Sequence, residues 1–156
     1  MSQYKFFWSG PFSQWYKSSF VIDGKTFNTC EQWMMWNKAM LFQDTEIADA
    51  ILATSDSKKQ KALGRQVKNF VDSVWMSVAY GIVVRGNRAK FEQNPELYSE
   101  LEKTKGLTLV EASPLDKRWG IGMAEDEEGV EDSANWKGEN LLGKAITQVR
   151  IDMFGS

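Results

Sequence analysis

Residues 20–43 read FVIDGKTFNTCEQWMMWNKAMLFQ, and the order of signals in this stretch decides the fold class. Phe20-Val21-Ile22 and Lys25-Thr26-Phe27 flank Asp23-Gly24. Asp-Gly suits a two-residue type I′ hairpin, because both central residues must take positive φ. Thr29 follows, with Gln32 three residues on, the spacing of a capping box. The predicted helix runs from Thr29 to about Gln43. A hairpin feeding straight into a long helix predicts an α+β fold.

Working outward, five more helices and one strand are predicted. A second helix begins near Asp44, with Ile47, Ala48, Ile51 and Leu52 on one face. A third, capped by Ser55 or Asp56, carries Lys58, Lys59 and Lys61 and ends at Gly64-Arg65. The longest helix spans about Val71 to Gln93, with Val74, Trp75, Val78 and Ile82 as its apolar stripe, weakened by Gly81 and Gly86. Asn94-Pro95 opens a helix to Lys103. Leu107 to Glu111 reads as a strand ended by Pro114, and a last helix covers about Glu139 to Phe154. Residues 115–138 have no clear period and hold the acidic run from Glu125 to Asp132, the signature of a solvated loop. No repeat and no linker interrupts the pattern, so residues 1–156 are expected to form a single domain. The expectation is an α+β, mainly α-helical chain with an N-terminal β-hairpin and short strands.

Composition narrows the chemistry. The chain has 156 residues, 42% hydrophobic and 26% charged, ordinary for a globular domain able to bury a core without disulfides or metal. Histidine is absent, which removes Ser-His and Cys-His dyads and most zinc or haem sites. The net charge of −2 gives no global basic field for duplex DNA, which weighs against a structural DNA-binding protein. A single cysteine, Cys30, together with the lack of a membrane span or signal-peptide core, leads to the expectation of a cytoplasmic protein. Twenty aromatics, 13% of the chain, exceed ordinary use. Most belong to a core, but aromatics also stack on flat ligands.

Three segments carry candidate chemistry. On the Thr29 helix, Glu31, Met35, Lys38 and Phe42 share one face, and Trp33, Trp36 and Met40 the other. A helix apolar on both sides is buried, and buried charges need partners. The competing reading is a partly exposed Glu and Lys at a helix end with no role. Asp116-Lys117-Arg118-Trp119-Gly120 puts an acid, an aromatic and a glycine on a loop, either a ligand contact or a turn packed by Trp119. The Gly138–Gly143 turn enters the last helix and could offer backbone N–H groups to a phosphate. Glu31 and Asp116 together could supply the two carboxylates that glycosyl hydrolysis favours.

These segments together resemble the NADAR family, the YbiA-like domains. Cys30-Glu31-Gln32 with Lys38, Gly64-Arg65, Trp75, Arg88-Ala89-Lys90-Phe91, Asp116-x-x-Trp119-Gly120 and Gly138-x-Asn140-x-Leu142-Gly143 occur in the family's order. Phe12-Ser13-Gln14-Trp15 is similar to its Phe-Ser-Asn-Phe element, and Asp23-Gly24-Lys25 to its hairpin. Two departures stand out: Gln32 replaces the histidine usual after the glutamate, and the stretch from Gly122 to Gly138 is longer and more acidic. The resemblance implies a compact α+β fold, no metal and no cofactor. It also implies an N-glycosidase that acts on riboflavin-pathway ribosylamine phosphates or on ADP-ribosylated guanine. Glu31, Lys38 and Asp116 would be catalytic, and Trp75, Trp119, Arg65, Gly120 and Asn140 would bind substrate. The substrate would be a small ribosyl phosphate or ADP-ribosylated nucleic acid, with no membrane and no obligatory protein partner. The alternative is a non-catalytic module that binds ADP-ribose or a nucleotide.

Overall fold

The computed structural model describes residues 3–156. In chain order its elements are β1 (Tyr4–Phe7), β2 (Phe20–Ile22), β3 (Lys25–Phe27), α1 (Cys30–Leu41), α2 (Thr45–Ala53), α3 (Ser57–Gly64), α4 (Asp72–Gln93), α5 (Pro95–Glu102), β4 (Thr108–Glu111) and α6 (Leu141–Phe154). Helices and a few short strands make this an α+β fold. A 3-10 turn at Ser133–Asn135 is the regular element within residues 115–138. No helix among the described residues is long and apolar enough to cross a membrane. The chain divides into two compact units, one of residues 14–94 and one of residues 1–13 with 95–156.

In the 14–94 unit the hairpin forms as the Asp-Gly pair requires. Asp23 and Gly24 both hold positive φ, and Phe20 sits opposite Phe27 in the antiparallel register. Thr29 caps α1, its hydroxyl accepting from the Gln32 amide at 3.1 Å. The reciprocal half of the box is displaced by one residue: Gln32 Oε1 accepts from the Asn28 amide at 2.8 Å. Its Nε2 donates to the Ile51 carbonyl at 3.0 Å, so the side chain that replaces the family's histidine staples α1 to the end of α2. Asp56, not Ser55, caps α3.

Helix α4 corrects its predicted stripe. Val74 and Val78 are exposed, and the buried face runs through Trp75, Ala79, Val83, Gly86, Asn87 and Lys90. Close approach to α1 decides this, because the Trp33 indole lies where a side chain at position 86 would be. A Cβ on Gly86 would stand 2.3 Å from Trp33 Cδ1, and the indole is fixed by donating to the Ile82 carbonyl at 2.8 Å. Gly81 faces open space. The two glycines therefore have opposite fates. Gly86→Ala is expected to cost about 1–3 kcal/mol by overpacking, while Gly81→Ala stabilises by up to about 1 kcal/mol through helix propensity. Urea denaturation of both variants checks the signs; equal shifts would refute the packing argument.

In the other unit β1 pairs with β4 in parallel, from Tyr4 opposite Thr108 to Phe7 opposite Glu111. The far edge of β4 is closed by side chains rather than by a strand. Asn140 Oδ1 accepts from the Glu111 amide at 2.9 Å, its Nδ2 donates to the Leu109 carbonyl at 3.1 Å, and Thr147 Oγ1 accepts from the Leu109 amide at 2.9 Å. These bonds satisfy an edge that would otherwise offer itself to another chain. Val110, Ala112, Ile121, Met123 and Val130 form the core there, with Tyr4, Phe6 and Trp136 packed on it.

Candidate active site

Helix α1 supplies the charged residues that the sequence singles out. Its first half is buried all round, from Cys30 through Met35, as a doubly apolar helix predicts. The second half departs from that expectation: Met40 and Leu41 are exposed and Lys38 is half-buried. Glu31, 7% exposed, donates its backbone N–H to the Gln14 carbonyl at 3.0 Å, which satisfies one of the first-turn amides that a helix leaves open.

Lys38 sits two turns further on, with its ammonium 4.4 Å from the Phe70 ring centroid. Burial holds its pKa below the ordinary 10.5. The carboxylates of Glu31 and Asp72 pull the value up, and the Arg65 guanidinium pushes it down. Glu31, Lys38, Arg65 and Asp72 thus form one electrostatic group. Arg65 is exposed and caps the C-terminus of α3. Close packing brings α3 alongside: a Cβ on Gly64 would meet Met35 Sδ at 2.1 Å, so the helices touch between Glu31 and Lys38. Sequence reasoning missed Asp72. Its position at the start of α4 follows from helix order, but its approach to Lys38 depends on how the helices pack.

Trp75, predicted to stack on substrate, is only 4% exposed and packs within the protein, so its ring presents no open face to a ligand. A second polar group, built on fully buried Asn87 and Lys90, lies beside Cys30 of α1. Asn87 Nδ2 donates to Gln14 Oε1 at 3.0 Å, and Cys30 Sγ donates to Asn87 Oδ1 at 3.6 Å. Lys90, 0% exposed, lies beside the Phe91 and Tyr16 rings.

Burial lowers the Lys90 ammonium from 10.5 to about 8, with the Cys30 thiolate form opposing the shift. Burial also raises the Cys30 thiol from 9.0 to about 11, against the pull of Lys90. The stability signs are opposite. From about pH 8 to 10.5 the folded state holds fewer protons on Lys90 than the unfolded chain, so this residue makes stability rise with pH. From pH 9.0 to about 11 the folded state keeps the Cys30 proton that the unfolded chain loses, so stability falls. The pair should therefore give a rise in stability between about pH 8 and 9.0, then a plateau. Cys30→Ala should extend the rise to about pH 10.5. Urea titrations across this range check it, and superimposable wild-type and Cys30→Ala profiles would refute the coupling.

Asp116, Trp119, Gly120 and Asn140 belong to the other unit, where they build a clasp. Asp116 Oδ1 accepts from the amides of Arg118 at 2.9 Å and Trp119 at 2.8 Å, which folds the turn that carries the indole. Trp119 is half-buried. The carbonyls of Lys117, Arg118, Trp119 and Gly120 accept in order from the amides of Glu139, Leu141, Leu142 and Asn140. This corrects the predicted phosphate site at Gly138–Gly143, because its four central amides, from Glu139 to Leu142, are already bonded to the loop. Asn140, 2% exposed and at φ 55, spends its side chain on β4 rather than on a ligand. Gly120 is buried, and a Cβ there would lie 2.9 Å from Ser113 Cβ and 3.0 Å from the Asp116 carbonyl, so its role is close packing of the clasp.

A NADAR domain matches residues 6–153, reaching into both units. The chain belongs to the NADAR domain family. Among its relatives, N-glycosidase R617 of Acanthamoeba polyphaga mimivirus is 42% identical over 144 residues, covering 89% of this chain and 85% of the relative. N-glycosidase YbiA of Escherichia coli K12 is 30% identical over 141 residues, covering 90% of this chain and 79% of the relative. The NMR structure of E. coli YbiA superposes with a TM-score of 0.80 at 28% identity, covering 98% of this chain and 86% of that one.

Proposed function

We propose that this protein is an N-glycosidase that hydrolyses the C1′–N bond between a ribose and a base, on a ribosylaminopyrimidine phosphate or an ADP-ribosylated guanine. The observation that carries this reading is the placement on α1 of buried Glu31 two turns from half-buried Lys38, whose pKa Glu31 and Asp72 raise and Arg65 lowers. The names of the mimivirus and E. coli relatives support the same reaction class.

Cleavage of such a bond develops positive charge at C1′ and needs a proton at the departing base. Glu31 delivers that proton and then activates water. Lys38, with its amine more available than in an ordinary lysine, attacks C1′ of the opened sugar. The base leaves with the proton, an imine joins C1′ to Nζ, and water then releases the sugar and restores the amine. Arg65 holds the phosphate as an exposed, permanently charged fork. Asp116 acts by holding the Trp119 turn in place.

The test is to incubate the protein with an ADP-ribosylated guanine oligonucleotide and, separately, with a ribosylaminopyrimidine phosphate, and to weigh the products by mass spectrometry. Free base and sugar from either substrate is the expected result. Release from neither, with binding retained, would leave a non-catalytic ADP-ribose or nucleotide-binding module instead.

A further inference from the structure

The segment from Gln14 to Ser18 precedes the hairpin without regular structure, yet it is pinned along its length. The Gln14 carbonyl takes the Glu31 N–H at 3.0 Å, and its side-chain oxygen takes Asn87 Nδ2 at 3.0 Å. Tyr16 lies 5.8 Å, ring centroid to ammonium, from buried Lys90, and its carbonyl accepts from Ser18 Oγ at 3.2 Å. Lys17 donates to the Ser55 carbonyl, and the Ser18 amide to Asn28. Of the two rings this segment carries, Trp15 is the more exposed, 44% against 38% for Tyr16; Lys61 Nζ lies 6.0 Å from its centroid, whereas Tyr16 turns toward buried Lys90. A large aromatic held rigid and solvent-facing loses little entropy on receiving a ligand. It adjoins the residue whose carbonyl is bonded to Glu31. Lys58, Lys59 and Lys61 are exposed on α3, so the surroundings of the ring are locally cationic in a chain of net charge −2.

We propose that Trp15, with Lys61 at its ring, is a stacking platform for the nucleobase of a phosphate-bearing nucleotide, set beside Glu31. A flat π-face takes any base, and the ammonium adds attraction both to the ring and to a nearby phosphate. The inference deepens the glycosidase reading by assigning the base-recognition subsite of the same region, and it rests on that reading only for its location.

The test is calorimetric binding, which needs no turnover, so its failure is separable from failure of the hydrolysis assay. Three probes are titrated into the whole protein: guanosine monophosphate, a short single-stranded guanine oligonucleotide, and ribose 5-phosphate, which lacks a base. Trp15→Ala is expected to weaken binding of the base-containing probes about tenfold, within the range that base–aromatic stacking supplies. Ribose 5-phosphate should bind both proteins alike. Trp15→Phe should restore most of the affinity, which separates a flat ring from a folding defect. A loss confined to the oligonucleotide supports the platform as a strand contact, and one confined to the mononucleotide as a free-nucleotide contact. Unchanged affinity for both, an equal loss with ribose 5-phosphate, or a wild-type protein that binds guanosine monophosphate no better than ribose 5-phosphate would overturn the proposal.

Discussion

Glu31→Gln is expected to fold as the wild type does and to lose at least ~100-fold in turnover, the low end for removal of a general acid–base group. The substitution keeps the volume of the side chain in a position only 7% exposed, and the backbone N–H bonded to Gln14 is untouched. Melting should therefore be nearly unchanged. The loss should appear in kcat rather than KM, since the group acts on the proton and not on ligand affinity. Turnover near that of the wild type would remove Glu31 from the mechanism and return the helix to a purely structural account.

The second large effect concerns Lys38. Borohydride added during turnover should trap an imine as a stable adduct on Lys38, absent in Lys38→Arg, which keeps the charge but forms no imine readily. The electrostatic surroundings sharpen the expectation. Glu31 and Asp72 raise the Lys38 pKa and Arg65 lowers it, so Arg65→Ala should raise it and move the onset of adduct formation to higher pH. Asp72→Asn should move it the other way. If no adduct forms and Lys38→Arg retains activity, direct attack of water on C1′ replaces the covalent route.

What could be read from the sequence was the information that is local along the chain. Asp23-Gly24 dictates positive φ at two adjacent positions whatever surrounds it, and Thr29, Asp44 and Asp56 each bond amides two or three residues ahead. The face of α4 was misread because its contact surface is chosen by small residues. Gly86 admits the Trp33 indole of α1, while Val74 and Val78 satisfy the apolar period without a neighbour to bury them. The same limit hid Asp72 from the Lys38 group. It also made the Gly138–Gly143 turn look like a free anion site, since nothing local announces that the carbonyls of Lys117 to Gly120 will claim its amides. Glu31 and Lys38 stood out because their shared helix face is a local property. The partners of that face were not.

The clasp also bears on how the chain tolerates change in length. The Ile121 carbonyl and the Lys137 amide meet at 2.8 Å, so the stretch between them is an excursion whose two ends are already joined. Met123, Val130 and Trp136 hold it to the core, while Glu125, Asp126 and Glu128 lie exposed at its tip. Lengthening a loop with joined ends costs little, about 0.6 kcal/mol for each doubling. The acidic tip is therefore the place where a reporter peptide can be spliced in, or the chain nicked by a protease, with both ends still fastened at Ile121 and Lys137.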